Sequence, residues 1–424
     1  MTQHKSPWTG KDNLYIYLIY VGALMTQMAP EGVSMDLSFS AEHELFRERL
    51  RTFLEEGWTR PRTKGEKVDA SAFRAAAIER GYLYRGIPQR LGGSEQAPDV
   101  VKARIIAEEF ERVRAPGEIK GVGTQMLVPT LLECGTEWQK DRFIPRTLTG
   151  EYRWCQGYSE PGSGSDLASL RTRGVLEGDE WVVTGQKVWT SYAKQADFMF
   201  ALVRTEPDAP KHEGISYLLI DMRSPGVDVR PLKQINGGEE FNEVFLNEVR
   251  TPADWIVGER GKGWLVSKSL LKHERNMIGG VDRSDKLFSS LLALARRTMR
   301  DARPAIEDAW VRDRLAALKA RLEIMRYSSF IQFTRENQGQ PAGRTQMMNK
   351  LYQSNYAAEV ARLATELLGD IGLLSPIGVE KPGSERWLEQ YMNSLAAAIA
   401  GGASNIQRNI IAERGLGLPR DKEQ

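Results

Sequence analysis

The stretch Trp154-Cys155-Gln156-Gly157-Tyr158-Ser159-Glu160-Pro161-Gly162-Ser163-Gly164-Ser165-Asp166 decides how this chain is read, with Thr184-Gly185-Gln186-Lys187-Val188-Trp189-Thr190-Ser191 downstream of it. The first segment turns sharply on glycines and a proline while presenting hydroxyls and backbone N–H groups. The second reads as a short strand carrying an indole and two hydroxyls. Such a pair can bracket a flat heterocycle rich in hydrogen-bonding atoms. Most glycine-rich turns are only turns, so the reading depends on what surrounds this one.

Upstream the pattern is helical. Ser40 is a suitable N-cap, Glu42 and Glu44 suit a positive helix end, and Phe46, Leu50 and Phe53 recur at helical spacing. Further helical patterns cover 70–80, 98–113, 123–134 and 136–148. Downstream the period changes to two. Arg171–Leu176 and Trp181–Thr184 flank the turn Glu177-Gly178-Asp179-Glu180, and strands follow at Phe198–Arg204, Ile215–Asp221, Val227–Pro231 and Asn242–Val249. Short strands without intervening helices indicate an antiparallel barrel or sandwich and argue against a doubly wound sheet. From Trp264 the chain is helical again. One helix is expected near 264–300, another from Pro304 at N1 through Leu315, Leu318, Leu322 and Met325, then 345–368, 384–398 and a short stretch at 404–414. Four long amphipathic helices with short connections predict an antiparallel bundle. The fold class is therefore α+β and multidomain. An N-terminal helical domain spans 35–154, a β domain 155–258 and a helical bundle 259–424.

Composition narrows the function classes. The formal charge is +2, with 58 basic against 56 acidic residues, which leaves no basic footprint for nucleic acid. Cys134 and Cys155 lack CxxC spacing, and the four histidines are scattered without an HExxH, so no metal site is expected. No GxGxxG links a strand to a helix, so a nicotinamide cofactor has no obvious seat. The apolar run Leu14–Met25 is too short to span a bilayer as a helix. Met1–Ser34 reads as an upstream extension, and a cytoplasmic protein is expected.

The order helices, strands, helices, with the opening motif at the start of the β domain, resembles the acyl-CoA dehydrogenase family of flavoproteins over about Met35 to Arg420. Ser159–Leu170 (SEPGSGSDLASL) is similar to the family's first signature. GQKVWTS with Gln195-Ala196-Asp197 is similar to its second, and Ile399–Arg408 followed by IIAERGLGLPR to its C-terminal one. The variants resemble a bacterial branch linked to unusual acyl-CoA or sterol side-chain degradation. The resemblance implies α,β-desaturation of an acyl-CoA thioester with tightly bound FAD, completed by a neighbouring subunit in a dimer or dimer of dimers. Electrons would pass to an electron-transfer flavoprotein.

Residue by residue, the resemblance sets Gln156, Tyr158 and Ser159 along the flavin's pyrimidine side and Ser165 near the CoA. Trp189 would lie over the ring face, with Thr190 beside it and Ser191 at N5. Without the family, Trp189 reads as a sheet-face core residue. Glu366, Gly369 and Asp370 resemble a Q-x-x-G-G-x-G segment that approaches a partner's FAD, with Glu for Gln and Asp for Gly; read alone, Gly369 is a helix C-cap. In many members the catalytic base is a Glu that here is Gly401. Alignment to the isovaleryl type brings its base onto Glu274 without a gap, with Arg275 holding CoA or steadying the base. The bland reading of Glu274 is an exposed helix carboxylate. Gly401 and Gly402 would open the acyl pocket. Ala403 and Asn405 stand where the family has an FAD-bonding Thr and a Glu or Gln. The Arg-x-x-Phe-Gly segment is not recognisable around Arg297–Ala309, where Arg300 or Arg303 are its candidates. A subunit of a heteromeric dehydrogenase, and a relative with monooxygenase or acyl-carrier-protein desaturase chemistry, are the alternatives.

Overall fold

Helices come first because apolar residues recur at helical spacing between well-formed caps. The computed structural model describes residues 40–58, 70–278, 281–340, 343–373 and 385–420; the extension Met1–Ser34 lies outside them. Helix α1 (Ala41–Gly57) opens on Ser40, whose hydroxyl accepts from the His43 N–H at 3.4 Å. After α2 (Ala70–Glu79), helix α3 (Val100–Val113) is capped by Asp99, which accepts from the Lys102 N–H at 2.9 Å. A π-turn over Gly123–Leu127 runs into α4 (Val128–Cys134). A capping box between Thr136 and Gln139 starts α5 (Glu137–Leu148).

A curled seven-stranded sheet follows, in the order β1-β4-β2-β3-β7-β6 with β5 on β4. The strands are β1 (Trp154–Gly157), β2 (Arg173–Glu177), β3 (Glu180–Ser191), β4 (Phe198–Arg204), β5 (Ile215–Asp221), β6 (Val227–Pro231) and β7 (Phe241–Pro252). Alternation assigns each strand two jobs. Trp154, Phe198, Phe200, Tyr217 and Leu219 face the core built with Leu50, Phe73, Ile105 and Phe143 of the first helices. Cys155, Met199, Ala201, Leu218 and Val244 form a separate core on the other face. One expectation is corrected here: the sheet is not wholly antiparallel, because β1 runs parallel to β4, with Trp154 opposite Phe198. The turn on Gly178-Asp179 sends β2 back along β3, so the chain returns to β1 from the same end. The second segment proves to be one strand with Trp181–Thr184, which is why β3 outruns the expected span.

The last part differs from expectation at one point, Pro304. The helical span expected near 264–300 is described as α6 (Gly263–Ile278) and α7 (Val281–Arg297), with 279–280 outside the described residues. Their apolar faces serve different cores: Val266 and Leu270 of α6 join the first core, whereas Phe288, Leu291 and Leu294 of α7 enter the bundle. The bundle is closed by α8 (Ala309–Asn337), α9 (Arg344–Leu368) and α10 (Glu385–Ala397), which bring Leu315, Leu322, Tyr356, Val360 and Trp387 together. Pro304 does not start the α-helix but stands before a single 3-10 turn, Ala305–Glu307. It pairs with Met299 in a two-residue strand, and Asp308 caps α8 by accepting from the Val311 N–H at 3.1 Å. A short α11 (Ser404–Ile410) and a π-turn over Ile411–Gly415 end the described chain.

A candidate flavin wall and its bundle counterpart

The opening motif is a tight turn locked from behind. The Glu160 N–H donates to the Ser163 carbonyl at 2.9 Å and the Ser163 N–H returns to Glu160 at 3.0 Å. The Glu160 carboxylate is buried under the turn. It accepts from the Arg171 N–H at 2.6 Å, the Thr172 N–H at 2.9 Å and the Lys187 ammonium at 2.8 Å. Burial pushes Glu160 up, but the Lys187 charge and these hydrogen bonds outweigh it and hold the carboxyl below its ordinary value. Glu160 therefore serves the turn.

The glycines of this motif divide into two kinds. A Cβ on Gly157 would meet Met199 Sδ at 2.4 Å, so the sheet itself requires that glycine. Gly162 and Gly164 have neither a left-handed φ nor any neighbour within 4 Å of an added Cβ. Nothing in the described chain demands their bareness. Ser165 is exposed beside them, and Asp166 pairs with Lys211 at 2.6 Å. Gln156 and Ser159 are half-buried, while Tyr158 is buried with its ring edge-on to Phe200 and Tyr217.

A bulge in β3 shapes the rest of this wall. The β3–β7 register shifts between Lys187 and Thr190, and Trp189 takes φ +59°. Its indole is 61% exposed, edge-on to Phe241 at 6.1 Å, so the core reading of Trp189 is wrong. Thr190 is buried opposite Asn242, and its Oγ1 lacks a hydrogen-bond partner among the described residues. Ser191 is half-buried at the strand end.

The bundle supplies a second cluster. Lys350 of α9 is buried and donates to the carbonyls of Gly402 at 2.6 Å and Ala398 at 3.3 Å. This closes α10 into a turn in which Gly401 and Gly402 take φ +63° and +101°. Ala403 caps α11 without a side-chain bond, and Asn405 accepts from Arg408 at 3.1 Å. The Asn236 side chain, between β6 and β7, donates to Asn393 of α10 at 3.2 Å and sets α10 beside the sheet. Glu366 and Gly369 lie apart, on a groove of about 560 Å³ built wholly from bundle residues. There Arg300 and Arg314 lie over Trp310, 5.1 and 5.3 Å from its ring. Asp370 is exposed just beyond, and Gly369, at φ +56°, caps α9. The backbone of Glu274 and Arg275 belongs to α6, but their side chains lie outside the described residues.

Cys155 is fully buried and its thiol is pushed far up by burial, so it is no nucleophile. The residues sequence reasoning passed over are Lys187, Lys350 and Asn242. The signal for Lys187 was available, because it shares the inward parity of Trp181 and Val183 on β3, where an unpaired lysine is untenable.

Compared with known proteins, residues 40–151 match the acyl-CoA dehydrogenase N-terminal domain, 155–249 the middle domain and 261–416 the C-terminal domain. The chain belongs to the acyl-CoA dehydrogenase family. It is thereby placed among oxidoreductases that act on acyl-CoA. It is 42% identical over 316 residues to "Acyl-CoA dehydrogenase IpdE1" of Mycobacterium tuberculosis, covering 74% of this chain and 79% of the relative. Among solved structures it resembles the ChsE4-ChsE5 complex from Mycobacterium tuberculosis, with 29% identity, TM-score 0.73 and coverage of 91% of this chain and 100% of the other. It also resembles the "Tcur3481-Tcur3483 steroid ACAD", at 29% identity, TM-score 0.72 and the same coverage. The acyl-CoA dehydrogenase fold of helical domain, curled sheet and helical domain is thus common to these chains. Among the described residues no helix is long and apolar enough to cross a membrane.

Proposed function

We propose that this chain catalyses α,β-dehydrogenation of an acyl-CoA thioester with FAD held against the β3 bulge. The observation that supports this most is Trp189, a large exposed indole on a strained backbone beside the orphaned Thr190 hydroxyl. An exposed indole raised on a bulge beside a hydroxyl fits the face of a flat, hydrogen-bonding ring. The bare Gly162 and Gly164 also fit close approach of an extended cofactor. When bound, FAD would supply the acceptor for the β-hydride.

In this reading Gln156, Tyr158, Ser159, Thr190 and Ser191 satisfy the ring's heteroatoms, while Trp189 covers its face and excludes water. Ser165 and Arg275 hold the CoA. Glu274 takes the α-proton from a position fixed by α6, whose Val266 and Leu270 are anchored in the first core. Ala403 and Asn405 lie along the FAD where the family has an anchoring Thr and a Glu or Gln, and Glu366, Gly369 and Asp370 approach the flavin of a second subunit. Gly401 and Gly402 put no side chain in the acyl pocket, which suits a bulky acyl group; the steroid named for a structural relative is of that size. An electron-transfer flavoprotein would reoxidise the site. A second reading, a subunit of a heteromeric dehydrogenase, is supported by the two-chain names of two structural relatives and by the loss of a carboxylate at Gly401.

The test is Glu274→Gln in the full chain, followed by anaerobic bleaching with straight, branched and steroid-bearing acyl-CoA thioesters. The variant is expected to keep its flavin and lose at least about a hundredfold of the bleaching rate. Near-normal bleaching would sink Glu274 as base. A colourless wild-type chain that gains flavin only with a partner chain would favour the second reading.

A further inference from the structure

Lys187 is fully buried, yet it touches no solvent-facing part of the candidate site. Its ammonium has three donors, and the structure gives three acceptors: Glu160 Oε1 at 2.8 Å, the Leu202 carbonyl at 2.7 Å and the Tyr158 carbonyl at 3.3 Å. The amine is saturated and has nothing left for a ligand. Those acceptors come from the glycine-rich turn, the residue that follows β1, and β4, so one side chain joins segments far apart in sequence. The next residue continues the tie, because the Val188 N–H donates to the Ser159 carbonyl at 2.9 Å. The residue after that is Trp189, thrown outward by the bulge.

The geometry has a directional consequence. No cis peptide bond occurs among the described residues, so the Tyr158–Ser159 peptide is trans. Its C=O and N–H therefore point in opposite directions. Drawing the Tyr158 carbonyl inward onto Lys187 turns the Ser159 N–H outward. We propose that Lys187 is a positioning residue of the flavin wall, which aims the Ser159 N–H and holds it in register with Trp189, with Glu160 as the counter-ion that keeps the amine in place. This rests on the flavin reading given above. Lys187 acts through Ser159 and Trp189 and is not itself a catalytic residue.

The experiment uses the full chain carrying Lys187→Met, with Glu160→Gln as a milder variant that keeps shape and acceptor. Two readouts are taken: FAD affinity by fluorescence titration, and backbone amide exchange of the flavin-free protein. Exchange is compared between peptides covering 156–166 and 186–192 and those covering β5, which report global stability. Loss of a tie of this strength corresponds to about tenfold. Lys187→Met is expected to raise the FAD dissociation constant at least about tenfold. Exchange in both wall segments should accelerate together and by more than in β5, whose own change follows only the loss of global stability. Glu160→Gln should move both readouts the same way, by less. A folded variant with unchanged FAD affinity and unchanged wall exchange overturns the proposal. So does faster exchange everywhere, β5 included, with FAD affinity per folded molecule unchanged, which is the signature of a merely structural lysine. If Lys187→Met yields no folded protein, Glu160→Gln alone decides by the same criteria. A wild-type chain that binds no FAD, but in which both variants loosen the two wall segments together, defeats the flavin reading and leaves the tie standing.

Discussion

Two buried lysines, one in the sheet and one in the bundle, hold the two clusters by different means. Lys187 sits on a carboxylate that two backbone N–H groups also grip, and it joins strands remote in sequence. Lys350 donates to the carbonyls at the end of α10 and closes a local turn on two left-handed glycines. The first is a charge pair whose worth depends on both partners being present. The second is a helix C-cap supplied from a neighbouring helix. A wall that must keep several hydrogen-bonding groups in register has the first kind of tie. A turn proposed above to leave the acyl pocket free of side chains has the second.

The largest test of this contrast is a pair of truncations. Lys187→Met leaves the Glu160 charge buried without its ammonium and is expected to cost about 3–5 kcal/mol of unfolding free energy in denaturant titration. Lys350→Met leaves carbonyls unpaired and should cost about 1–3 kcal/mol. Joint replacement by Glu160→Gln and Lys187→Met should recover much of the first loss, and a double variant no better than Lys187→Met would break the charge-pair account. Titration comes next. Burial pushes Lys187 down to about 8 against the pull of Glu160, so between there and its unfolded value the unfolded chain binds more protons. Wild-type stability relative to the double variant should thus rise with pH over that window. On the acid side the lowered Glu160 contributes stability above its ordinary range, which is lost as pH falls through its folded value. The opposite slope in either window contradicts the arrangement.

Gly402→Ala addresses the bundle side. At φ +101° a side chain is strained, and the added Cβ would sit 2.4 Å from Gln407 Nε2, the far end of a movable side chain. A loss of about 1–2 kcal/mol is expected, seen as a lowered Tm. Trp189→Ala should have the smallest effect on folding, within about 0.5 kcal/mol, because the indole is exposed. A core tryptophan would cost about 3–5 kcal/mol, so a loss of that size would restore the sheet-core reading. Its flavin affinity should fall in the same experiment.

Much of the architecture was legible in sequence because local pattern and tertiary demand agree. β4, β5 and β6 fall at the expected residues, since short strand-forming runs bounded by turn residues leave little choice. Both α6 and α7 are amphipathic, and periodicity does not say which core a face will meet. Pro304 misled for a related reason: Asp308 four residues later was the better cap. The site was legible as motifs but not as connections. Nothing in Gln186-Lys187-Val188 announces that its amine reaches Leu202. The bulge that exposes Trp189 is a shift between two strands, which one strand's sequence cannot carry.

The parallel pairing of β1 with β4 also bears on the order in which the molecule assembles. β1 is short, and Trp154–Gly157 meets Phe198–Ala201 only after everything between has closed on itself. Local hairpins such as β2–β3 form with little loss of chain entropy, whereas this closure waits for β4 and β5 to exist as a template. The edge proposed above to face the flavin is then expected among the last parts of the sheet to become rigid. On that proposal a flavin arriving during synthesis would meet an unfinished wall.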